Sequence, residues 1–330
     1  MPKAVVILGA GASADFGVPI LRNLFKDGHA RSFLKIRRRA LRSLNELFWG
    51  PRGHSIDTSD QSLTIEEMLT ILRDWEQEPT CRGALDKQET AYLRRVLYVV
   101  IQRAVFVGKS SGGRHLNDLI NTMSRQFDLV TWASFNWDCI FEASYWYCRK
   151  KNPRLAVDLQ DWTVGTTRIN EFLKLHGGIN WWKVGGRLHY VSFGRGGDLS
   201  TKWSDYADGN AEGEPVILEP SVYKYTDENY DLLKGQWDHF MRRLCETDCV
   251  LVLGYSLPEA DSQARSKLTV AFQVNSTCRW LVVDPSEETC RRYKRLLGET
   301  AVTTQQTGLA GFNNELKTNL QNGFPNVDFS

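Results

Sequence analysis

Apolar residues along the chain alternate between short unbroken runs and stretches where they recur every three or four positions. Residues 4–8, AVVIL, form the first run. It ends in Gly-Ala-Gly, which reads as a buried strand entering a tight turn. A helix is expected at 19–26, with Pro19 suited to its first turn. Residues 30–49 are basic and helix-forming, and 62–78 and 86–107 show helical spacing. The block 28–127 thus reads as a helical insertion between two sheet strands. Strands resume at DLVTWASF (128–135), followed by a helix over 138–150, and at FLKLH (172–176). Residues 178–215 are rich in glycine and tryptophan, and RLHYVSF reads as a strand within a long irregular region. VILEP (216–220) is a further strand and 229–246 a helix. DCVLVLGYSL, a helix from Pro258, RWLVVDPS and a helix from Ser286 then follow in β-α-β-α order. That order predicts an α/β fold, a Rossmann-like parallel sheet of about six strands with helices on both faces. The whole chain, 1–330, is expected to form one domain carrying the 28–127 insertion.

Composition narrows the function classes. The 330 residues are 42% hydrophobic and 24% charged, as in an ordinary soluble globular protein. A net charge of +2 gives no whole-surface field for nucleic acid or membrane. Lys35, Arg37, Arg38, Arg39 and Arg42 cluster at helical spacing and read as a solvated face that can also meet a companion protein, not as a nucleic-acid site. Cysteines stand at 81, 139, 148, 245, 249, 278 and 290, with no Cys-x-x-Cys pair. Their spacing argues against a disulfide framework and against structural zinc, so no metal is expected. The N-terminal apolar run is too short for a signal peptide and nothing approaches a membrane span, so the expected location is the cytoplasm.

Chemistry concentrates where strands end. Gly9, Ala10, Gly11 and Ser13 form a small-residue turn that lets backbone approach a pyrophosphate at a helix N-terminus. A dehydrogenase of the usual kind would then show a second strand ending in an acidic residue about 20 positions on. The sequence there is basic and helical, which argues against hydride transfer. Strand 128–135 runs into Ser134-Phe135-Asn136-Trp137-Asp138. Asn136 there can orient a water or a ribose hydroxyl; Asn136 and Asp138 can equally be helix caps. LKLHGG places His176 at a strand end before two glycines, the setting of a general base near neutral pH or of a structural histidine. Gly254-Tyr255-Ser256-Leu257-Pro258 and Val282-Val283-Asp284-Pro285-Ser286 are two more strand ends feeding helices.

In this order the five elements resemble the sirtuin family. Gly9 to Ser13 with Gly17 to Pro19 match its Gly-Ala-Gly-x-Ser and Gly-Ile-Pro segments. Asn136 and Asp138 match its Asn-x-Asp, His176 and Gly177 its catalytic His-Gly, and Gly254 and Ser256 its Gly-x-Ser. The segment ending at Asp284 matches the strand that contacts adenosine. The resemblance implies NAD as substrate. It implies Asn136 and His176 as the catalytic pair, with the four turn residues on the phosphates and Ser256 on a phosphate or the adjoining ribose. Asp284 would then take a hydroxyl of the adenosine ribose. It adds Pro19, Arg22, Ser134, Asp138, Gly254 and Leu257 to the cofactor-binding set. The deacetylase branch carries Asp-Phe-Arg where this chain has Ile20, Leu21 and Arg22, and four zinc cysteines that this chain lacks. With its helical insertion the chain looks more like the bacterial sirtuin-like NAD hydrolases. Those deplete NAD during phage infection, often on command from a sensor domain or companion protein. No sensor domain is evident, so control is expected from homo-oligomer assembly or from a separate partner. Rival readings are protein deacylation or ADP-ribosyl transfer on the same scaffold, and a nucleotide sensor that binds NAD or ADP-ribose without turnover.

Overall fold

A computed structural model describes residues 2–19, 21–49, 64–77, 85–106, 113–149, 154–155, 169–191, 196–218 and 229–325. Its strands are β1 (Lys3–Leu8), β2 (Leu129–Ser134), β3 (Arg154–Leu155), β4 (Ile169–Lys174), β5 (Gly177–Val184), β6 (Arg187–Tyr190), β7 (Glu214–Ile217), β8 (Cys249–Leu253), β9 (Arg279–Val283) and β10 (Val302–Gln305). Seven of them form one sheet in the order β10-β9-β8-β1-β2-β4-β3, and every neighbouring pair is parallel. The apolar run at 4–8 lies in its middle, Ala4 opposite Val130 on one side and Cys249 on the other. The chain turns one way from β1 to β2 and the other way to β8. This places a topological switch point at the carboxyl end of β1, where open α/β sheets bind ligands.

β1 shows no apolar/polar alternation because both its faces are covered. Val5 and Ile7 face a core with Trp237, Phe240 and Leu268 from the helices Tyr230–Glu246 and Ser262–Val274. Ala4, Val6 and Leu8 face a second core with Leu119, Ile120 and Met123 of the helix Gly113–Gln126 and Phe141 of the helix Ile140–Arg149. Each such side chain, fully buried, contributes about 1.5–3 kcal/mol before entropy is counted.

The described residues between β1 and β2 are helical, but they join two different cores. Helix Gly113–Gln126 packs on the sheet. The segments Leu21–Lys26, Gly28–Ile36, Arg38–Leu44, Ile65–Gln77 and Lys87–Phe106 form a third core together with Ile179, Trp182, Trp203 and Ile217. Ile179, Trp182 and Trp203 belong to the stretch read as irregular, and Ile217 to the strand read at 216–220. Strands β5, β6 and β7 make a separate antiparallel sheet in the order β6-β5-β7, beside the main one. Three local readings shift. The 19–26 segment is a 3-10 turn at Leu21–Lys26, the helix expected from Pro258 starts at Ser262, and the 30–49 helix breaks at Arg37. No described helix is long and apolar enough to cross a membrane.

Candidate functional site

The glycine turn is built by two backbones that cross. The helix after it, Ala10–Ala14, has only five residues. Gly9 N–H donates to the Leu253 carbonyl at 3.0 Å and Gly11 N–H to the Gly254 carbonyl at 2.9 Å, while Ala12 N–H returns to the Gly9 carbonyl at 2.9 Å. A Cβ on Gly9 would lie 2.3 Å from Tyr255 Cα, and one on Gly11 2.8 Å from Gly254 Cα. Gly254 has φ +60°, and its Cβ would lie 2.3 Å from Ala12 N. Three glycines are therefore required by the contact between the β1 and β8 ends, whatever the ligand. The N–H groups of Gly9 and Gly11 are engaged within the protein; exposed Ala10 and buried Ser13 complete the turn.

Asn136 bolts the next strand end to this turn. Its Nδ2 donates to the Gly9 carbonyl at 2.8 Å and to Ser13 Oγ at 3.0 Å, and its own N–H donates to Ser134 Oγ at 3.1 Å. The Gly9 carbonyl can only accept, so the amide orientation is set. Oδ1 is left as the acceptor this side chain can offer to a hydroxyl or a water. Ser13 in turn hydrogen-bonds the Asp138 carboxyl, and Asp138 Oδ1 accepts from Ile140 N–H at 2.9 Å at the start of the following helix. Asp138 thus holds the first N–H of that helix. Burial pushes its carboxyl up from the ordinary value, against the pull of Lys174.

Beneath this loop lies a buried cation. Lys174 Nζ donates to the Asp138 carbonyl at 2.5 Å, to Glu142 Oε1 at 2.8 Å and to Asn180 Oδ1 at 3.1 Å. Burial opposes its charge, but the surrounding groups, Glu142 foremost and then Cys139 and Asp138, together outweigh that, so its pKa is raised. Asn180 Nδ2 closes the set on Glu142 at 3.1 Å.

His176 follows the adjacent strand but occupies the other face of the sheet. Its ring meets Phe135 edge-on at 5.0 Å between centroids and lies 6.1 Å from Trp237. Its Nε2 is 3.2 Å from Asp261 Oδ2, and Tyr255 donates its hydroxyl to that same oxygen at 2.5 Å. Burial pushes the Tyr255 hydroxyl well up, so it remains the donor. Gly177, at φ +64°, turns the chain where a Cβ would overlap the Val216 carbonyl.

Two crevices flank Ala12. One is walled by Ser13, Ser134, Asn136 and Asp138 with Leu116 and Phe141. The other lies between Gly11, Gly254, Val283, Pro285 and Gly308. His176 lines neither. Asp284 stands beside the second, its Oδ1 accepting from Ser286 N–H at 2.8 Å, and burial pushes its carboxyl up. Ser256 is exposed, and its carbonyl accepts from Arg292 at 2.8 Å. Leu257 is buried at φ +52°, an uncommon conformation for a branched side chain, and its carbonyl also accepts from Arg292. Pro19 is half-buried at the end of the first turn region. The Arg22 side chain lies outside the described residues.

Sequence reading missed Asp261, Tyr255 and Lys174. The one local signal was Asp261 directly before Ser-Gln-Ala-Arg, an N-cap pattern; placing the helix start at Pro258 hid it. Nothing local marks Lys174 as buried. Among the described residues no group of three His, Cys, Asp or Glu side chains is arranged to hold a metal. Cys139, Cys245, Cys249, Cys278 and Cys290 are free thiols.

No protein-family model and no curated protein matches the chain. Solved structures do. One, from work on the mechanism and regulation of Sir2 enzymes, is 11% identical at a TM-score of 0.44, over 96% of this chain and 92% of that one. Another is Sir2 in complex with the inhibitor EX-527, 2'-O-acetyl-ADP-ribose and a deacetylated p53 peptide. It is 12% identical at a TM-score of 0.40, over 96% of this chain and 93% of the other.

Proposed function

We propose that this chain is a sirtuin-like NAD hydrolase, cleaving the bond between nicotinamide and ribose to give nicotinamide and ADP-ribose. The observation that carries the reading is the Asn136 clamp. Its amide hydrogens are engaged by Gly9 and Ser13, so Oδ1 is held as an acceptor at the carboxyl edge of the sheet, next to the switch point. The nicotinamide leaving group is already cationic and needs no acid to protonate it. The reaction needs a held ribose and a positioned water as oxocarbenium character develops. In this reading Asn136 supplies the acceptor, and His176, which lines neither crevice, is the base acting through a ribose hydroxyl and not on the water at Asn136. The two crevices beside Ala12 are where the ends of a dinucleotide would enter, with Ser256 and Asp284 toward the adenosine side.

The missing paired cysteines favour hydrolysis over deacylation, since no zinc module is available to build a peptide channel. In the cell such an activity fits a triggered NAD-depleting effector of anti-phage defence, held in check by self-assembly or a separate partner. The test is to incubate the purified chain with NAD and follow nicotinamide. Release without peptide supports the hydrolase. Release only with an acylated peptide makes it a deacylase. No release in any assembly state, with NAD still bound, leaves a sensor module.

A further inference from the structure

The His176 pocket holds two groups that the NAD-cleaving reading does not use, Asp261 and Tyr255. Both are buried, and Asp261 is fully so. A buried carboxylate needs donors, and among the described residues Asp261 meets Tyr255, His176 and Ala264. Tyr255 Oη lies 2.5 Å and His176 Nε2 3.2 Å from Oδ2, and Ala264 N–H lies 3.4 Å from Oδ1. The last contact caps the helix Ser262–Val274 and ties the carboxylate to a rigid element. Tyr255 is fixed as well: its ring stacks on Phe135 at 4.0 Å, and its carbonyl accepts from Tyr293 Oη at 3.0 Å.

We infer that Asp261 is the positioning residue for His176: its carboxylate holds the imidazole with the proton on Nε2 and favours the imidazolium once a proton is taken. The physical reason is that a carboxylate on one ring nitrogen fixes the tautomer and orientation of the ring and stabilises its cation. Tyr255 tunes the pair. By donating to the shared oxygen it withdraws part of the negative charge from His176. Tyr255 also sits between Gly254 and Ser256, so the segment expected to meet the nucleotide is one residue from the carboxylate that sets the base. Among the described residues, Tyr293, from the helix Glu287–Leu297, and Arg265, from the helix that Asp261 caps, are further ionisable groups beside the pair. The helix Tyr230–Glu246 presents the uncharged Trp237 to the ring.

The inference rests on the NAD-hydrolase reading only for its consequence in turnover, and the test separates the two. Asp261→Asn removes the charge yet keeps a strong N-cap, and Tyr255→Phe removes the hydroxyl yet keeps the stacked ring. The full chain, with these variants and His176→Ala, is titrated by NMR of labelled histidine; the signal absent from His176→Ala identifies the ring. Nicotinamide release is followed across pH in parallel. In Asp261→Asn the His176 titration midpoint should fall by about one pH unit or more, the usual scale for removing an opposite charge within hydrogen-bond reach. In Tyr255→Phe it should rise. Turnover of Asp261→Asn should drop at least about tenfold, and the acid limb of its pH profile should move with the midpoint. An unmoved midpoint in folded Asp261→Asn overturns the inference, even if the parent hydrolyses NAD and His176→Ala does not. A shifted midpoint with no nicotinamide release from any form upholds the Asp261–His176 coupling and removes the hydrolase reading instead.

Discussion

Asn136 and His176 are expected to fail differently when removed. His176→Ala takes away the base, but a cationic leaving group can still depart, so slow hydrolysis should remain. Asn136→Ala takes away the acceptor that orients water and ribose. Either change should lower turnover at least about 100-fold, measured as nicotinamide release, with NAD binding retained. Asn136 also clamps Gly9 and Ser13, so its loss should lower stability by about 1–2 kcal/mol, a cost the local sequence did not suggest. Turnover at the parent's rate in both folded variants would reduce the residues to caps and structural polar groups. Asp138 makes a separate prediction about pH. Its carboxyl pKa is raised by burial from 3.8, so the folded chain binds its proton more tightly than the unfolded chain. The stability it contributes is present below the unfolded value and is lost as pH rises through the folded value. Asp138→Asn keeps an acceptor for Ile140 N–H and cannot ionise. The melting temperature of this variant relative to the parent should therefore climb as pH is raised from about 4 to about 8. A constant difference, or one that falls, contradicts the assignment.

At the scale of elements, the end of β4 and the helix Ile140–Arg149 are joined by a charge pair with 0% and 1% of side-chain surface exposed. Breaking such a pair by removing one partner leaves a buried charge unpaired and costs about 3–5 kcal/mol, whereas an apolar replacement of both is far milder. Lys174→Met alone should thus destabilise more in urea unfolding than Lys174→Met combined with Glu142→Leu. A double variant as unstable as the sum of the singles would mean that the pair acts through Asn180 and the Asp138 carbonyl instead. The basic helices show the opposite regime. Arg37 pairs with Asp208 and Arg39 with Glu89 at the surface, while Lys35, Arg38 and Arg42 are exposed. Such pairs are each worth about 0–1 kcal/mol, and they shrink the free cationic face available to a nucleic acid.

For the whole molecule, the prediction concerns control. An NAD hydrolase active at all times would starve its host, so the isolated chain should be weakly active when dilute. Specific activity should rise with protein concentration or on adding a companion protein, read by nicotinamide release alongside light scattering. Strong turnover by a dilute monomer would contradict this. The helical core between β1 and β2 shares its interior with Trp182 and Ile217 of the small antiparallel sheet, and Gly177 leads from His176 straight into that sheet.

The centre of the parallel sheet was legible in the chain because β1, β2, β8 and β9 are short apolar runs followed by a turn and a helix, and burial on both faces leaves few other options for such runs; the edge strands β3, Arg-Leu, and β10, Val-Thr-Thr-Gln, carry no such run and were missed. The strand-end motifs were legible for the same reason: small and polar residues interrupt apolar runs where the backbone turns. The antiparallel sheet was legible only in part: RLHYVSF and VILEP were read as strands and overlap β6 and β7, but GGINWWKV has aromatic residues without clean alternation, and its pairing with Glu214–Ile217 is a long-range choice. The spacing of Gly9, Gly11 and Gly254 could not reveal that they lie against one another, since that contact joins chain ends some 240 residues apart. Equally, no local pattern could show that Asn136 and His176 lie on opposite faces of the sheet, or that Asp261 and Lys174 are buried beside them. Side-chain direction past a strand end, and the pairing of buried charges, are decided by what packs around them. Local propensity determines which segments become strands and turns, and only the tertiary structure decides which polar groups meet.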